Sequence, residues 1–90
     1  MEQNTPGRKE YRKVIVAEIQ KLNTEMKQRE TRMKYLTGRM ELFRNMGHAE
    51  QFEAYLPRLQ GHENVVCELY TRRAKLVRML HAFDGMKQAG

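Results

Sequence analysis

The sequence contains few of the residues that staple small secreted folds or build catalytic sites. It has no tryptophan, one cysteine and two prolines, and only 8% of its residues are aromatic. A single cysteine, Cys67, excludes a disulfide framework within the chain and favours a reducing compartment. No apolar run approaches the roughly 18 residues that a membrane span needs, and residues 1–7 lack the layout of a signal peptide. These absences predict a cytoplasmic protein that does not enter a membrane.

Motifs for catalysis and ligand binding are also missing. The chain has no glycine-rich phosphate loop and no paired-carboxylate pattern. Cys67 follows Glu63 by one helical turn but has no histidine on the same face to activate it. The three histidines, His48, His62 and His81, are spread along the chain, so no metal site within one chain is expected. The sequence therefore predicts no catalytic residue, no metal, no cofactor and no small-molecule substrate, and a small enzyme with a site between subunits is the weakest alternative.

A regular heptad pattern is what the sequence does have. Apolar residues recur in alternating steps of four and three over residues 15–43, with one position occupied by Arg29. This spacing keeps apolar side chains on one side of a long helix, as a seam that a second helix can bury. The pattern predicts a helix over residues 8–46, and its seam residues are Ile15, Ile19, Leu22, Met26, Met33, Leu36, Met40 and Phe43.

A second heptad seam follows Gly47, which is the expected left-handed C-cap of the first helix. Pro57 interrupts the start of this seam, because proline disfavours helix in the residue before it and suits the first position of a helix. We therefore predict a turn at 47–48, a short helix at 49–56 and a helix at 57–84; one continuous helix kinked at Pro57 is the alternative. Residues 1–7 are predicted to be a disordered lead-in and residues 85–90 a tail. The seam residues are Phe52, Tyr55 or Leu56, Leu59, His62, Val66, Leu69, Arg73, Leu76, Leu80 and Phe83.

The two seams pair with each other when the chain folds back at Gly47. Residue i then faces residue 95 − i, so that Met26 lies opposite Leu69 and Arg29 lies opposite Val66. The predicted fold class is all-α, a long antiparallel helical hairpin with coiled-coil-like packing. Arg29 and Arg73 occupy seam positions; they either set the register or are simply tolerated, and the alternative is that one of them is exposed for a partner.

The second helix carries more apolar residues than one seam uses. Such a wide apolar surface predicts that further helices pack on it, and we expect the hairpin to form a homodimeric four-helix bundle. The alternatives are a different protein partner on the same surface, or ordinary scattered surface residues. Five residues form this predicted dimer or partner stripe: Leu56, Val65, Tyr70, Val77 and Met79.

The net charge of +6 is concentrated near the two ends of the chain. Residues 14–71 carry equal numbers of acidic and basic residues, so the whole excess falls within residues 1–13 and 72–90. A hairpin brings these segments together at its open end, where they suit nucleic acid or an acidic protein face. A solvated end that only aids solubility is the alternative, since no known DNA-binding motif accompanies the charge. The patch consists of Arg8, Lys9, Arg12, Lys13, Arg72, Lys75 and Arg78.

These features together predict a non-enzymatic interaction module that binds and regulates or inhibits a larger protein complex. We expect a protein partner and a homodimer, and no membrane partner. The second hypothesis is a nucleic-acid-binding or nucleoprotein-associated protein that uses the basic open end. Small helical proteins without recognisable motifs often regulate or inhibit larger complexes, in line with the first hypothesis. An origin in a phage or mobile element would suit that role.

Overall fold

The computed structural model describes residues 7–89, except for the side chains of Arg8 and of residues 86–89. The described residues form two helices, α1 at Arg8–Asn45 and α2 at Ala49–Ala89. The helices pack side by side as a hairpin, in a rod of 68 × 27 × 15 Å. The predicted all-α helical hairpin is confirmed. Of the predicted lead-in, residues 1–6 lie outside the described residues, and Gly7 is the N-cap of α1.

A tight turn reverses the chain because Gly47 adopts a left-handed conformation, with a φ of 76°. The amide of His48 donates to the carbonyl of Phe43 at 2.8 Å, and the amide of Gly47 donates to the carbonyl of Arg44 at 3.2 Å. These two bonds form a Schellman motif, which satisfies carbonyls that the end of a helix otherwise leaves unpaired. The predicted C-cap glycine is confirmed, and α1 ends at Asn45, one residue earlier than predicted.

The core is a single row of side chains between the two helices. At its centre, Leu22 and Met26 of α1 pack with Leu69 of α2, and Val65 and Leu76 are partly buried against them. Leu22 is the most buried of these residues, at 2% exposure. Because the row is only one side chain deep, most other seam residues stay partly exposed. Seven apolar side chains are buried among the described residues, and all belong to the predicted seams: Ile15, Leu22, Met26, Leu36, Met40, Val66 and Leu69.

Contacts between the helices agree with the predicted register to within about one helical turn. Met26 and Leu69, predicted to lie opposite each other, share the central cluster. Arg29 was predicted to lie opposite Val66, but its guanidinium donates to His62, one turn away, at 3.0 Å. This offset follows from the length of the arginine side chain, which can extend along the seam to reach a polar partner.

Pro57 does not divide the second half of the chain into two helices. The prediction of a short helix at 49–56 followed by a helix from 57 is wrong, because α2 is one helix with Pro57 inside it. Tyr55 and Leu59, on either side of the proline, belong to the same seam, and both are partly buried. Because Tyr55 and Leu59 both pack on α1, the segments before and after Pro57 keep the same helical periodicity. This packing overrides the tendency of proline to end or start a helix.

The C-terminal end of α2 also lies further along the chain than predicted. A tail was expected from residue 85, but α2 continues through Gly85 to Ala89. Among the described glycines only Gly47 has a positive φ, so Gly85 adopts an ordinary helical conformation. Glycine weakens a helix through its backbone entropy, but it ends a helix only where it takes the left-handed conformation.

Candidate interaction surfaces

Two flanks run along the hairpin, one on either side of the seam. Leu56, Tyr70 and Val77 are spaced 14 and seven residues apart, so they share one heptad position on one flank. Leu56 is 44% exposed, Tyr70 is 49% exposed, and Val77 is half-buried. We call these three residues the Tyr70 flank. Val65 and Met79 share the heptad position on the other side of the seam, so the five residues predicted as one stripe fall into two separate sets.

A second set of exposed apolar side chains lies on α1. Tyr35 and Leu42 are seven residues apart and share an outward heptad position, which Val14 also occupies. Met46, the C-cap residue of α1, follows Leu42 by four residues and continues the same face. All four residues are more than half exposed. We call Tyr35, Leu42 and Met46 the Tyr35 face. The predicted site residues did not include it, although a seven-residue repeat outside the seam is its signal in the sequence.

One hydrogen bond joins the two helices along the Tyr70 flank. The hydroxyl of Tyr70 donates to a carboxylate oxygen of Glu30 at 3.2 Å. This hydrogen bond, and then the negative charge of Glu30, raise the pKa of Tyr70 above its ordinary value of 10.0, because both disfavour the tyrosinate. The bond therefore fixes the position of the hydroxyl, while about half of the tyrosine remains exposed on the flank.

The predicted basic patch extends from the open end of the hairpin towards its middle, where Arg72 lies next to Arg73, the contact of Asn23. The guanidinium of Arg12 donates to the carboxylate of Asp84 at 3.1 Å, so the two ends of the hairpin meet there. This ion pair offsets the charge of Arg12. Arg72, Lys75 and Arg78 follow each other in steps of three residues, so they lie along one outward face of α2. The exposed patch residues besides Arg12 are Lys9, Lys13, Arg72, Lys75 and Arg78, and the side chain of Arg8 lies outside the described part.

A basic groove in the middle of the hairpin was not predicted from the sequence. It is a cleft of about 500 Å³ between α1 and α2. It lies on the flank opposite Tyr70, because Arg58 precedes Val65 by seven residues and shares its heptad position. We call this cleft the arginine groove. Its walls are Arg29, Arg32, Arg58 and His62, and Leu36, Pro57 and Gly61 complete its lining.

Two of the basic side chains in the arginine groove are held by neighbouring residues. Arg29, which is partly buried, contacts His62 Nδ1 through Nη1 at 3.0 Å. The guanidinium of Arg58 lies 5.4 Å from the centre of the Tyr55 ring, a cation–π arrangement. A further cleft of about 720 Å³ continues along α1 and shares Arg29, Arg32 and His62. Sequence reasoning missed this site because it treated Arg29 and His62 as separate seam residues.

The second seam arginine does not take part in this groove. Arg73 donates through Nε to the side-chain oxygen of Asn23 at 2.6 Å, which holds it against α1. The free thiol of Cys67 is exposed on α2. Among the residues that the structure describes, no group of three or more histidine, cysteine, aspartate and glutamate side chains is placed to hold a metal ion.

An antiparallel pair of helices occurs in proteins of many functions, so the fold alone does not specify one. Neither of the two described helices contains a stretch that is long and apolar enough to cross a membrane. The surfaces that distinguish this hairpin are the Tyr70 flank, the Tyr35 face, the basic end and the arginine groove. No family model matches the chain, and no curated protein or solved structure is significantly similar to it.

Proposed function

We propose that the protein is a non-enzymatic helical interaction module, which dimerises and then binds and regulates or inhibits a larger protein complex in the cytoplasm. The observation that carries this proposal is the set of exposed apolar side chains that share heptad positions outside the seam, on the Tyr70 flank, where Glu63 occupies the position between Leu56 and Tyr70, and on the Tyr35 face. Single apolar residues scattered over a surface are ordinary. A seven-residue repeat of them instead gives a strip along the helix that another helix can cover.

The thin core supports burial of the Tyr70 flank against a second copy of the chain. A chain of 90 residues buries a limited share of its surface on folding, and a rod buries less than a compact domain. Leu56 to Val77 spans about 32 Å of helix. A partner helix packed along this length would contact the chain over about three heptads. Two copies related by a two-fold axis would pair their flanks in a four-helix bundle.

The Tyr35 face would stay accessible in such a dimer, because it occupies an outward position of α1. Tyr35, Arg39, Leu42 and Met46 follow each other in steps of four, three and four residues. This spacing is typical of a helix that docks in an apolar groove of another protein. Tyrosine, arginine and methionine are also enriched in protein interfaces. We therefore assign the contact with the regulated complex to the Tyr35 face.

Changing Leu56 and Tyr70 together to arginine should convert the dimer into a monomer. Both residues are largely exposed in the single hairpin, so the seam and the helix content should be kept. In the dimer, the two exchanges remove four apolar side chains from the interface and bury four charges, of which only those introduced at position 70 can pair with Glu30, and this strongly opposes association. Molar mass from light scattering and helix content from circular dichroism provide the measurement. A wild-type chain that is monomeric at high micromolar concentration would overturn the dimer.

The matched control is a second double variant, Tyr35→Arg with Leu42→Arg, which makes the same two exchanges on the Tyr35 face. This control should remain a dimer but lose the cross-links that the wild type forms with the regulated complex in its native cell. If both double variants dissociate, or neither does, the assignment of the dimer to the Tyr70 flank is wrong. If the control keeps all cross-links, the regulated complex binds elsewhere.

Nucleic-acid binding at the open end is the second candidate function, and the exposed basic residues that meet there favour it. Affinity for duplex DNA should then fall with salt, with a log–log slope of about −0.9 for each phosphate contact. Changing Arg12, Lys13, Lys75 and Arg78 to glutamine should weaken binding to all sequences and flatten this slope. In a protein-binding role the same changes should mainly slow association. Submicromolar duplex binding at physiological salt, abolished by the four glutamines, would place this candidate first.

A further inference from the structure

The arginine groove gathers positive charge without a matching carboxylate. Arg29, Arg32 and Arg58 all line it. In the described part of the chain, the side-chain ion pair within 4.0 Å is that of Arg12 with Asp84, and none involves these three arginines. Glu30, the acid next to Arg29 in sequence, instead accepts the hydrogen bond from Tyr70, and Glu25 lines the adjoining cleft without an ion pair to these arginines. Like charges held close together repel each other, so a bound anion would relieve the repulsion.

The contact between Arg29 and His62 leaves a further donor at the groove. Arginine has donors and no acceptor, so Nδ1 of His62 must be the unprotonated nitrogen that accepts the bond from Nη1 at 3.0 Å. The ring proton of neutral His62 therefore sits on Nε2, which can donate to a ligand. The bond also holds the partly buried guanidinium of Arg29 in a defined place, and the ring of Tyr55 does the same for Arg58.

Gly61 keeps the groove open although packing does not require a glycine there. A Cβ atom at this position would meet no atom within 4 Å, and the backbone does not have a positive φ. Glycine within a helix is less favourable than alanine, so the fold gains nothing from it at this position. Gly61 lies at the edge of the groove, whose lining also includes Pro57 and Leu36, so a long side chain at this position can reach across the opening.

We propose that the arginine groove binds the phosphate groups of a small phosphate-bearing molecule, such as a pyrophosphate or the phosphate chain of a nucleotide. Guanidinium groups bind phosphate oxygens in a bidentate manner, and several of them together match a multiply charged phosphate better than a single carboxylate. The volume of about 500 Å³ lies within the range of small-molecule sites. This site is separate from the Tyr70 flank and does not depend on dimerisation.

A titration of the full-length ¹⁵N-labelled chain with pyrophosphate, at constant ionic strength, tests the proposal by nuclear magnetic resonance. The amide signals of Gly61 and His62 should shift and reach saturation. Arg32→Gln and Arg58→Gln should each weaken binding about tenfold, because each removes charged hydrogen bonds to the ligand. Both arginines are exposed, so these variants should stay folded. Shifts that never saturate would overturn the site.

Two further variants separate a shaped site from general attraction to a basic protein. Arg44→Gln removes the same charge about 18 Å along α1 from Arg32, beyond a Debye length at physiological salt, and should change the affinity less than about twofold. Gly61→Glu introduces a negative charge at the edge of the groove, at a position where a Cβ atom has free space, and should weaken binding strongly without loss of helix. Equal weakening by Arg44→Gln, or unchanged binding by Gly61→Glu, would refute the proposal.

A comparison of ligands identifies the bound group. Adenosine triphosphate should shift the same signals as pyrophosphate and compete with it, whereas adenosine should not, because the phosphates and not the base are recognised. Stronger binding of adenosine triphosphate than of inorganic triphosphate, which has a phosphate chain of the same length, would identify a nucleotide as the ligand, and equal binding would identify a free phosphate chain. If duplex DNA shifts these signals and pyrophosphate does not, the groove contacts a nucleic-acid backbone and the small-molecule proposal is wrong.

Discussion

Truncation of Leu22 to alanine is expected to lower the free energy of unfolding by about 2–5 kcal/mol, the largest single effect in the core. Leu22 is only 2% exposed, and it packs with Met26 and Leu69 at the centre of the hairpin. Because the core is one row deep, no second layer of side chains can move in to fill the cavity. Chemical unfolding followed by circular dichroism measures the effect, at a protein concentration where the chain is monomeric.

The matched control is Leu42→Ala, which deletes the same atoms from the same helix. Leu42 is 51% exposed on the Tyr35 face, so its truncation should change the stability of the monomer by less than about 0.5 kcal/mol. If Leu22→Ala and Leu42→Ala lower the free energy of unfolding by similar amounts, the two leucines do not differ in burial. The seam assignment on which the fold description rests would then be wrong.

Replacement of Pro57 by alanine is expected to stabilise the chain by about 2–3 kcal/mol. Pro57 lies eight residues after the start of α2 at Ala49, where proline lacks the amide hydrogen that would bond to the carbonyl of Glu53 and where its ring crowds that carbonyl. Alanine restores the bond. Part of the gain is offset, because proline also restricts the unfolded chain. The melting temperature of the variant should therefore rise by several degrees.

The control for this substitution is Gln51→Ala, an exposed helical position at which alanine should change stability by less than about 0.5 kcal/mol. The sign of the Pro57→Ala effect distinguishes two arrangements of the chain. If α2 is one continuous helix, Pro57→Ala must raise the free energy of unfolding. A neutral or destabilising effect would instead place Pro57 at the first position of a separate helix, where its fixed φ is favourable, and would support a short helix at 49–56.

The parts of the fold that depend on local spacing were predictable. Leu22, Met26 and Leu69 were assigned to the seams by their heptad spacing, and all three are buried. Gly47 was placed at the end of α1 because only a residue that tolerates a positive φ closes a Schellman motif easily. Pro57 was misread because its local preference favours a helix start, whereas the outcome depends on packing of both neighbouring segments against α1.

The candidate sites were less predictable than the fold. Extra apolar residues on α2 can be counted in the sequence, but their division between two flanks follows from where the seam lies. Three observations of the structure define the arginine groove. Arg29 and Arg58 come from different helices, Gly61 leaves free space beside them, and neither arginine forms an ion pair within the described chain. Of these three residues only Arg58 and Gly61 are near each other in sequence, so no local sequence pattern predicts the site.

The sequence by itself determined the hairpin, its turn and the row of side chains that holds it together, because helical periodicity and the conformational freedom of Gly47 act over a few residues. Tertiary structure alone decided which polar groups meet across the helices. Arg29 bonds to His62 and Tyr70 to Glu30, each displaced along the helices from the residue expected opposite. The physical reason is that long side chains reach about one helical turn in either direction, so their partners depend on three-dimensional position and not on heptad register.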